Sequence, residues 1–512
     1  MADYRRRIEQ WGAGMHEHPR VRTEQGFLEG RLRRGNADFR GISYAQPPVG
    51  SLRFAAPAPV ASWDGVRHAV EFGPAPPQSG PGPQADPSLN PDWLTLNVCT
   101  PDPGTTRLPV LVWLCCGGYM AGTAADPMTD PTALADAGIV VVSVQCRMGA
   151  EGFALIDGAP SNRGLLDQIA ALEWVQHNIA NFGGDPSCVT VAGVSGGAGS
   201  VAALLAVPRA RSLFHRAITH SVPGLYCTPA LAEEVTATLA HRLGVAPTAQ
   251  ALSTVAPQRL ADEVTALCLD APSYRERWGR LAHLGIVVCP VIDGELLGHT
   301  PWAALNEGRA EGIDLLVGHT RDEFRLFSIM MGVRGTFTDN DACTAMEVFA
   351  PRPDGPGAYR SAFPDAGPEE LVEVVYSDAT FRMPSLLLAE ANTEAGGDTF
   401  LFELSYATEQ FGACHSIDVP LAFATLDSPT GRLFFGDHPT ADAFAVSHEL
   451  HQAWVRFITA GQPGWPHYST DQRATRVLAA PSTTTTYPEE KSRRIWLGRP
   501  PVPFTLLDDS RL

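Results

Sequence analysis

The chain has 512 residues, of which 44% are hydrophobic and 18% charged, a composition that fits a globular protein with a large buried core. A formal charge of −18 and a pI near 5.2 weigh against nucleic acid or an anionic membrane surface as partner. No stretch reaches the roughly 18 consecutive apolar residues of a membrane span, and MADYRRRIEQWGAGMHEHPR lacks the apolar core of a secretory signal.

Residues 1–20 read as a loosely attached N-terminal arm, and residues 21–512 as one domain. From Val21 the chain runs in short strands and turns, with Pro47-Pro48-Val49-Gly50 as a rigid turn. FGPAPPQSGPGPQADPSLNP, residues 72–91, is too rich in Pro and Gly for helix or central strand and reads as a surface loop. LPVLVWLCCGGYMAG (108–122) and AGIVVVSVQCRMG (137–149) are apolar runs of the kind that form buried parallel strands. The segment 165–184 follows, with Leu166, Ile169, Leu172, Val175 and Ile179 at helical spacing and a stop at Gly183-Gly184. VTVAGVSGGAGSVAALL (189–205) is strand, turn and helix, and LFHRAITHSV (213–222) is another strand. This alternation predicts an α/β fold with a large, mostly parallel central sheet flanked by helices. Residues 229–285 and 325–395 are helical excursions that roof a site. VVCPVIDG, IDLLVGHTRDE (313–323) and DTFLFELSY (398–406) read as strands, and HELHQAWVRFITAG (448–461) as an amphipathic helix.

The ten cysteines form no C-x-x-C pair and no regular framework, so reduced thiols in a cytoplasmic protein are expected. His448-Glu449-Leu450-His451 is one residue short of the zinc motif H-E-x-x-H, with no third ligand in view, and no metal or organic cofactor is expected.

Gly193-Val194-Ser195-Gly196-Gly197 is a G-x-S-x-G turn between strand and helix, which lifts a serine Oγ clear of a sheet. A serine nucleophile needs a base, an acid that orients the base, and donors for the oxyanion, in the chain order Ser, acid, His. Asp322 and Glu323 end an apolar strand and are the candidate acids. His415, in a Gly-flanked loop after DTFLFELSY, and His438, in FFGDHPT, are the candidate bases. Gly117 and Gly118, after the strand 108–114, and Gly196 offer backbone N–H groups for the oxyanion.

These motifs resemble the type-B carboxylesterases, the α/β-hydrolase family of the cholinesterases and of bacterial para-nitrobenzyl-esterase-like enzymes. FRGISYAQPPVGSLRF, LTLNVCTP, LPVLVWLCCGGY, the run from NRGLLDQ to GGAGS, LFHRAI, PVIDG, VGHTRDEF, GACHSID and AWVRFITAGQPGWPHY occur in the family's order between about residues 39 and 468. The resemblance implies Ser195 as nucleophile, Glu323 as acid, His415 as base, and Gly117, Gly118 and Gly196 as oxyanion donors. It also implies an ion pair between Arg147 and Asp185. The implied activity is hydrolysis of small carboxylic esters through an acyl-enzyme. Alternatives are the same triad acting on a carbamate, amide, lactone or thioester, or in acyl transfer, and, from another class, a non-catalytic cholinesterase-like binding protein.

Departures at six positions stand out. The glutamate and alanine that usually flank the serine are Val194 and Gly196, and Cys115-Cys116 replace the His-Gly of the His-Gly-Gly-Gly-Phe loop. The early disulfide cysteine is Trp93. Pro91 stands where the family has a glutamate, so the family's ion pair with Arg53 is expected to be lost or rerouted to Asp92.

Val194 removes a carboxylate beside the nucleophile. At 4 Å from an ammonium such a charge is worth about 1 kcal/mol in water and about 4 kcal/mol at an effective dielectric of about 20. A choline ester is therefore expected to be hydrolysed no better than its neutral 3,3-dimethylbutyl isostere. A clear preference for the cation in kcat/KM would overturn this.

Overall fold

The computed structural model describes residues 18–80, 90–308 and 313–507. Most of the expected N-terminal arm, residues 1–17, and residues 81–89 of the Pro-rich loop lie outside the described residues.

An 11-stranded sheet forms the centre, its strands numbered here in chain order. They are β1 (Arg31–Arg33), β2 (Asn36–Ser43), β3 (Thr95–Thr100), β4 (Leu108–Leu114), β5 (Val140–Val144), β6 (Gly184–Val194), β7 (Arg216–His220), β8 (Asp314–Thr320), β9 (Thr399–Leu404), β10 (Ala474–Leu478) and β11 (Thr483–Thr486). The spatial order is β11-β10-β9-β8-β7-β6-β4-β5-β3-β2-β1. The seven strands from β10 to β5 run parallel, and antiparallel strands close both edges. The expected mostly parallel α/β sheet is therefore present. A separate three-stranded sheet joins Arg20–Arg22, Phe27–Glu29 and Val66–His68.

The central strands are β-branched and apolar because both their faces are covered. Along β7 and β8, successive residues alternate between two cores: Ala217, Leu315 and Val317 pack into one, Ile218 and Leu316 into the other. Helices Arg163–Asn178 and Gly196–Ala206 cover the first face through Leu165, Ile169, Leu172 and Val201. Helix Ala441–Ala460 covers the second through Leu450, Trp454 and Phe457. Among the described residues no helix is long and apolar enough to cross a membrane.

Three local expectations need correction. VVCPVIDG is not a strand: its Pro290 has no N–H to give a ladder, and its backbone pairs with Cys227 through an isolated bridge at Val291 and with no ladder. The strand β10 (ATRVL) and the edge strand β11 (TTTT) beside it are short and carry no strong apolar run, and the sequence reading does not include them.

The third correction concerns ion pairs. Arg147 pairs with Asp167, not Asp185. Its Nε and Nη2 donate to Asp167 at 2.8 and 2.7 Å, its backbone N–H donates to the same carboxylate at 3.0 Å, and both side chains are fully buried. Asp185 instead takes the exposed Arg107. Arg53 has neither lost its partner nor turned to Asp92. It donates to the buried Glu151 at 2.6 and 3.0 Å, while Asp92 accepts from the Ser43 hydroxyl. Arg163, also buried, donates to the carbonyls of Ala150, Glu151, Ala154 and Pro160, and burial lowers its pKa to about 9. This cluster fixes residues 147–154, and from that segment Gly149 donates to the Tyr119 carbonyl at 2.7 Å.

Removing one partner of a buried pair leaves the other charge bare, at a cost of about 3–5 kcal/mol. Asp167→Asn is expected to destabilise the fold by that amount in urea unfolding, whereas Asp185→Asn should stay within about 0.5 kcal/mol of the parent. Equal effects would sink the assignment of Asp167 as the partner of Arg147.

Candidate active site

The C-terminal ends of β4, β6, β7, β8 and β9 lie at one edge of the parallel sheet, where such folds place their chemistry. Ser195 follows β6 and holds φ 55° and ψ −125°, a conformation that few non-glycine residues adopt. Two contacts hold it there: its N–H donates to the His220 carbonyl at 3.0 Å, and its carbonyl accepts from Gly199 at 2.8 Å. The turn needs Gly193, because a Cβ there would overlap the Gly197 carbonyl. Ser195 is half-buried.

Glu323 lies just beyond β8 and is fully buried. Its Oε1 accepts from the Thr320 N–H at 2.8 Å and the Ser221 hydroxyl at 2.6 Å. Its Oε2 stands 2.6 Å from His415 Nδ1. The other imidazole nitrogen, His415 Nε2, is buried and has no hydrogen-bond partner. Phe381 and Phe327 lie against the ring with centroids at 4.2 and 5.2 Å.

The carboxylate beside Glu323 has a different task. Asp322 Oδ2 accepts from the Ala413 N–H at 3.0 Å and from Arg325 at 3.1 Å, and the Asp322 N–H donates to the Ala413 carbonyl. It therefore clamps the backbone two residues before His415. His438, the competing histidine, is exposed in the loop before helix Ala441–Ala460. Of the rejected HELH pair, His448 is exposed, while His451 is buried with Nδ1 2.9 Å from the Ala422 carbonyl. Among the described residues, no group of three or more His, Cys, Asp or Glu could hold a metal ion.

The loop after β4 packs directly on the start of the Ser195 helix. A Cβ on Gly196 would lie 2.8 Å from the Cys116 carbonyl and the Tyr119 nitrogen, and 3.0 Å from the Gly118 nitrogen. Gly117 donates its N–H to the Ala121 carbonyl at 2.6 Å, so this group is engaged in a turn. Among the described residues the N–H groups of Gly118 and Gly196 form no hydrogen bond. Cys115 and Cys116 are buried. A hydrogen bond with Cys146, together with burial, pushes the Cys116 thiol well above the ordinary range, and burial does the same for Cys115.

Sequence reasoning did not single out Ser221, Phe327 or Phe381. Ser221 adjoins β7 at φ 56°, and nothing in RAITHSV announces that its hydroxyl turns toward a carboxylate 102 residues away.

The family model described as "Carboxylesterase family" matches residues 17–349. Phenmedipham hydrolase of Pseudarthrobacter oxydans is 33% identical over 486 residues, 91% of this chain and 96% of the relative. Para-nitrobenzyl esterase of Bacillus subtilis is 31% identical over 497 residues, 93% of this chain and 98% of the relative. Among solved structures, carboxylesterase Est55 of Geobacillus stearothermophilus superposes with a TM-score of 0.83 at 32% identity, covering 93% of this chain and 99% of that one.

Burial makes a prediction about the thiols. In native buffer at neutral pH, iodoacetamide is expected to reach the half-exposed Cys188 and Cys343 first and to leave Cys116 unlabelled, with hydrolytic rate unchanged. Labelling of Cys116 with loss of rate, prevented by substrate, would show instead that it lines an open pocket.

Proposed function

The chain belongs to the carboxylesterase family and hydrolyses ester bonds, and we propose that it does so through a Ser195–His415–Glu323 triad and an acyl-enzyme. The observation that carries this reading is the Glu323–His415 pair at 2.6 Å with Nε2 unpartnered. A carboxylate on Nδ1 keeps the proton there and leaves Nε2 as the base.

The steps follow from those positions. Ser195 Oγ attacks the ester carbonyl carbon as His415 Nε2 takes its proton, and Glu323 stabilises the imidazolium. Gly118 and Gly196 donate their N–H groups to the oxyanion, and Gly117 joins them once its bond to Ala121 is exchanged for one to the substrate. The tetrahedral intermediate collapses, His415 protonates the departing alcohol, and the acyl group remains on Ser195. Water, activated by the same imidazole, then releases the acid. The substrate is a small neutral ester, and the ten free thiols support a cytoplasmic setting. Similarity to an enzyme named for hydrolysis of phenmedipham favours a second, narrower reading, that this compound is also a substrate. Turnover of phenmedipham beside p-nitrophenyl esters tests it directly.

A fluorophosphonate probe is expected to label the parent protein on Ser195 and to fail on Ser195→Ala. That variant should lose on the order of 10⁶ in kcat, and Glu323→Gln on the order of 10⁴ because the imidazole loses its oriented tautomer. Asp322→Asn should fall far less, since it keeps an acceptor for the Ala413 N–H. If Ser195→Ala keeps its turnover, or if the Asp322 variant is the more damaged of the two, the proposed roles are wrong.

A further inference from the structure

His220, the last residue of β7, touches the segments that carry all three triad residues. Its carbonyl accepts the Ser195 N–H at 3.0 Å. The next residue, Ser221, donates its hydroxyl to Glu323. The imidazole of His220 reaches the third segment: its Nδ1 lies 2.7 Å from Asp418 Oδ2, three residues beyond His415. All of this is sealed from solvent, with His220 1%, Asp418 0% and Trp454 1% exposed.

The hydrogen bonds fix the tautomer. Trp454 Nε1, which can only donate, lies 3.1 Å from His220 Nε2. Nε2 must therefore accept, which leaves the proton on Nδ1 to be donated to Asp418. Trp454 and Phe402 hold the ring edge-on, with centroids at 5.2 and 4.8 Å. Among the described residues Asp418 takes no other hydrogen bond, and its Oδ1 is buried without a partner. A buried carboxylate with one donor goes where that donor puts it.

We propose that His220 is a positioning residue for the esterase reaction, which sets the placement of the His415 loop through its Nδ1–H bond to Asp418 while its own carbonyl fixes the Ser195 turn. The inference rests on the triad reading. Asp322 clamps the His415 loop on its N-terminal side, at Ala413, and His220 clamps it on its C-terminal side, at Asp418. Between the two clamps, Ser416 holds φ 64°, a backbone conformation that few non-glycine residues adopt. Simple core packing would explain the burial. It would not require a particular nitrogen to carry the proton.

The test separates these roles by choosing which ring nitrogen is replaced. An asparagine amide at 220 occupies the position of Nδ1 and can donate to Asp418; a glutamine amide occupies that of Nε2; a leucine does neither. With a p-nitrophenyl ester, His220→Leu is expected to lose on the order of 10²-fold in kcat, the cost of a misplacement of about 1 Å, with KM nearly unchanged. His220→Asn should recover most of that rate, and His220→Gln should not. Thermal unfolding of each variant reports folding, and if the leucine variant does not fold, the Asn–Gln pair decides. Equal rates for Asn and Gln, or parental kcat in folded His220→Leu, would overturn the proposal. The rate of fluorophosphonate labelling distinguishes the two levels. A parent protein that does not label brings down the triad reading itself, whereas a His220→Leu protein that labels at the parental rate brings down only the role of His220.

Discussion

A carboxylate removed from water must find donors or give up its charge, and Glu323 is fully buried. Its three donors come from the end of its own strand, from Ser221 after the neighbouring β7, and from His415 after β9 on the other side. The buried charge is thus satisfied only when segments 92 and 102 residues away in sequence arrive together. The parallel order β6-β7-β8-β9 brings them to adjacent strand ends. The same order places the Ser195 turn beside the strand that supplies both the carbonyl holding it and the hydroxyl holding Glu323.

Two departures from the family pattern belong to one contact. Bulk is added at 116, where a glycine becomes cysteine, and removed at 196, where an alanine becomes glycine. In the structure the backbone at 116 and the α-carbon at 196 face each other so closely that a methyl group on 196 would press on the Cys116 carbonyl. The cysteine side chain packs away into the core that also holds Tyr119. The loop after β4, which the proposed mechanism gives the oxyanion, is seated on the first turn of the Ser195 helix, and the N–H groups of Gly118 and Gly196 beside the contact are free.

What the sequence made legible and what it hid follow the range of each interaction. The Ser195 turn was legible because its requirements are local: a β-branched strand, glycines at two close approaches, and a small-residue helix. The buried strands were legible because two covered faces leave an uninterrupted apolar run. Asp322 and Glu323 could not be ranked from local pattern, since both end the same strand; only the resemblance separated them. Their different tasks depend on a loop 91 or 92 residues away. The partner of Arg147 failed for a related reason. Asp185 came from the family resemblance and not from local pattern, and the true partner, Asp167, lies on helix 163–178, where only the packing of an arginine from another segment marks it as buried. The short strands β10 and β11 carry no periodicity strong enough to read.

The electrostatics of the site can be carried one step further. The imidazole of His415 is walled by Phe381 and Phe327, and its Nδ1 is committed to Glu323, so only Nε2 is open to change partner. In the proposed mechanism Nε2 takes the serine proton, and the imidazolium then has the Glu323 carboxylate on one edge and two aromatic rings at its sides. With valine at 194, the turn adds no charge beside the Glu323–His415 pair. On that mechanism the site gains most from a substrate that brings no charge of its own and develops a single negative oxygen, the one charge that the unpartnered N–H groups of Gly118 and Gly196 would meet.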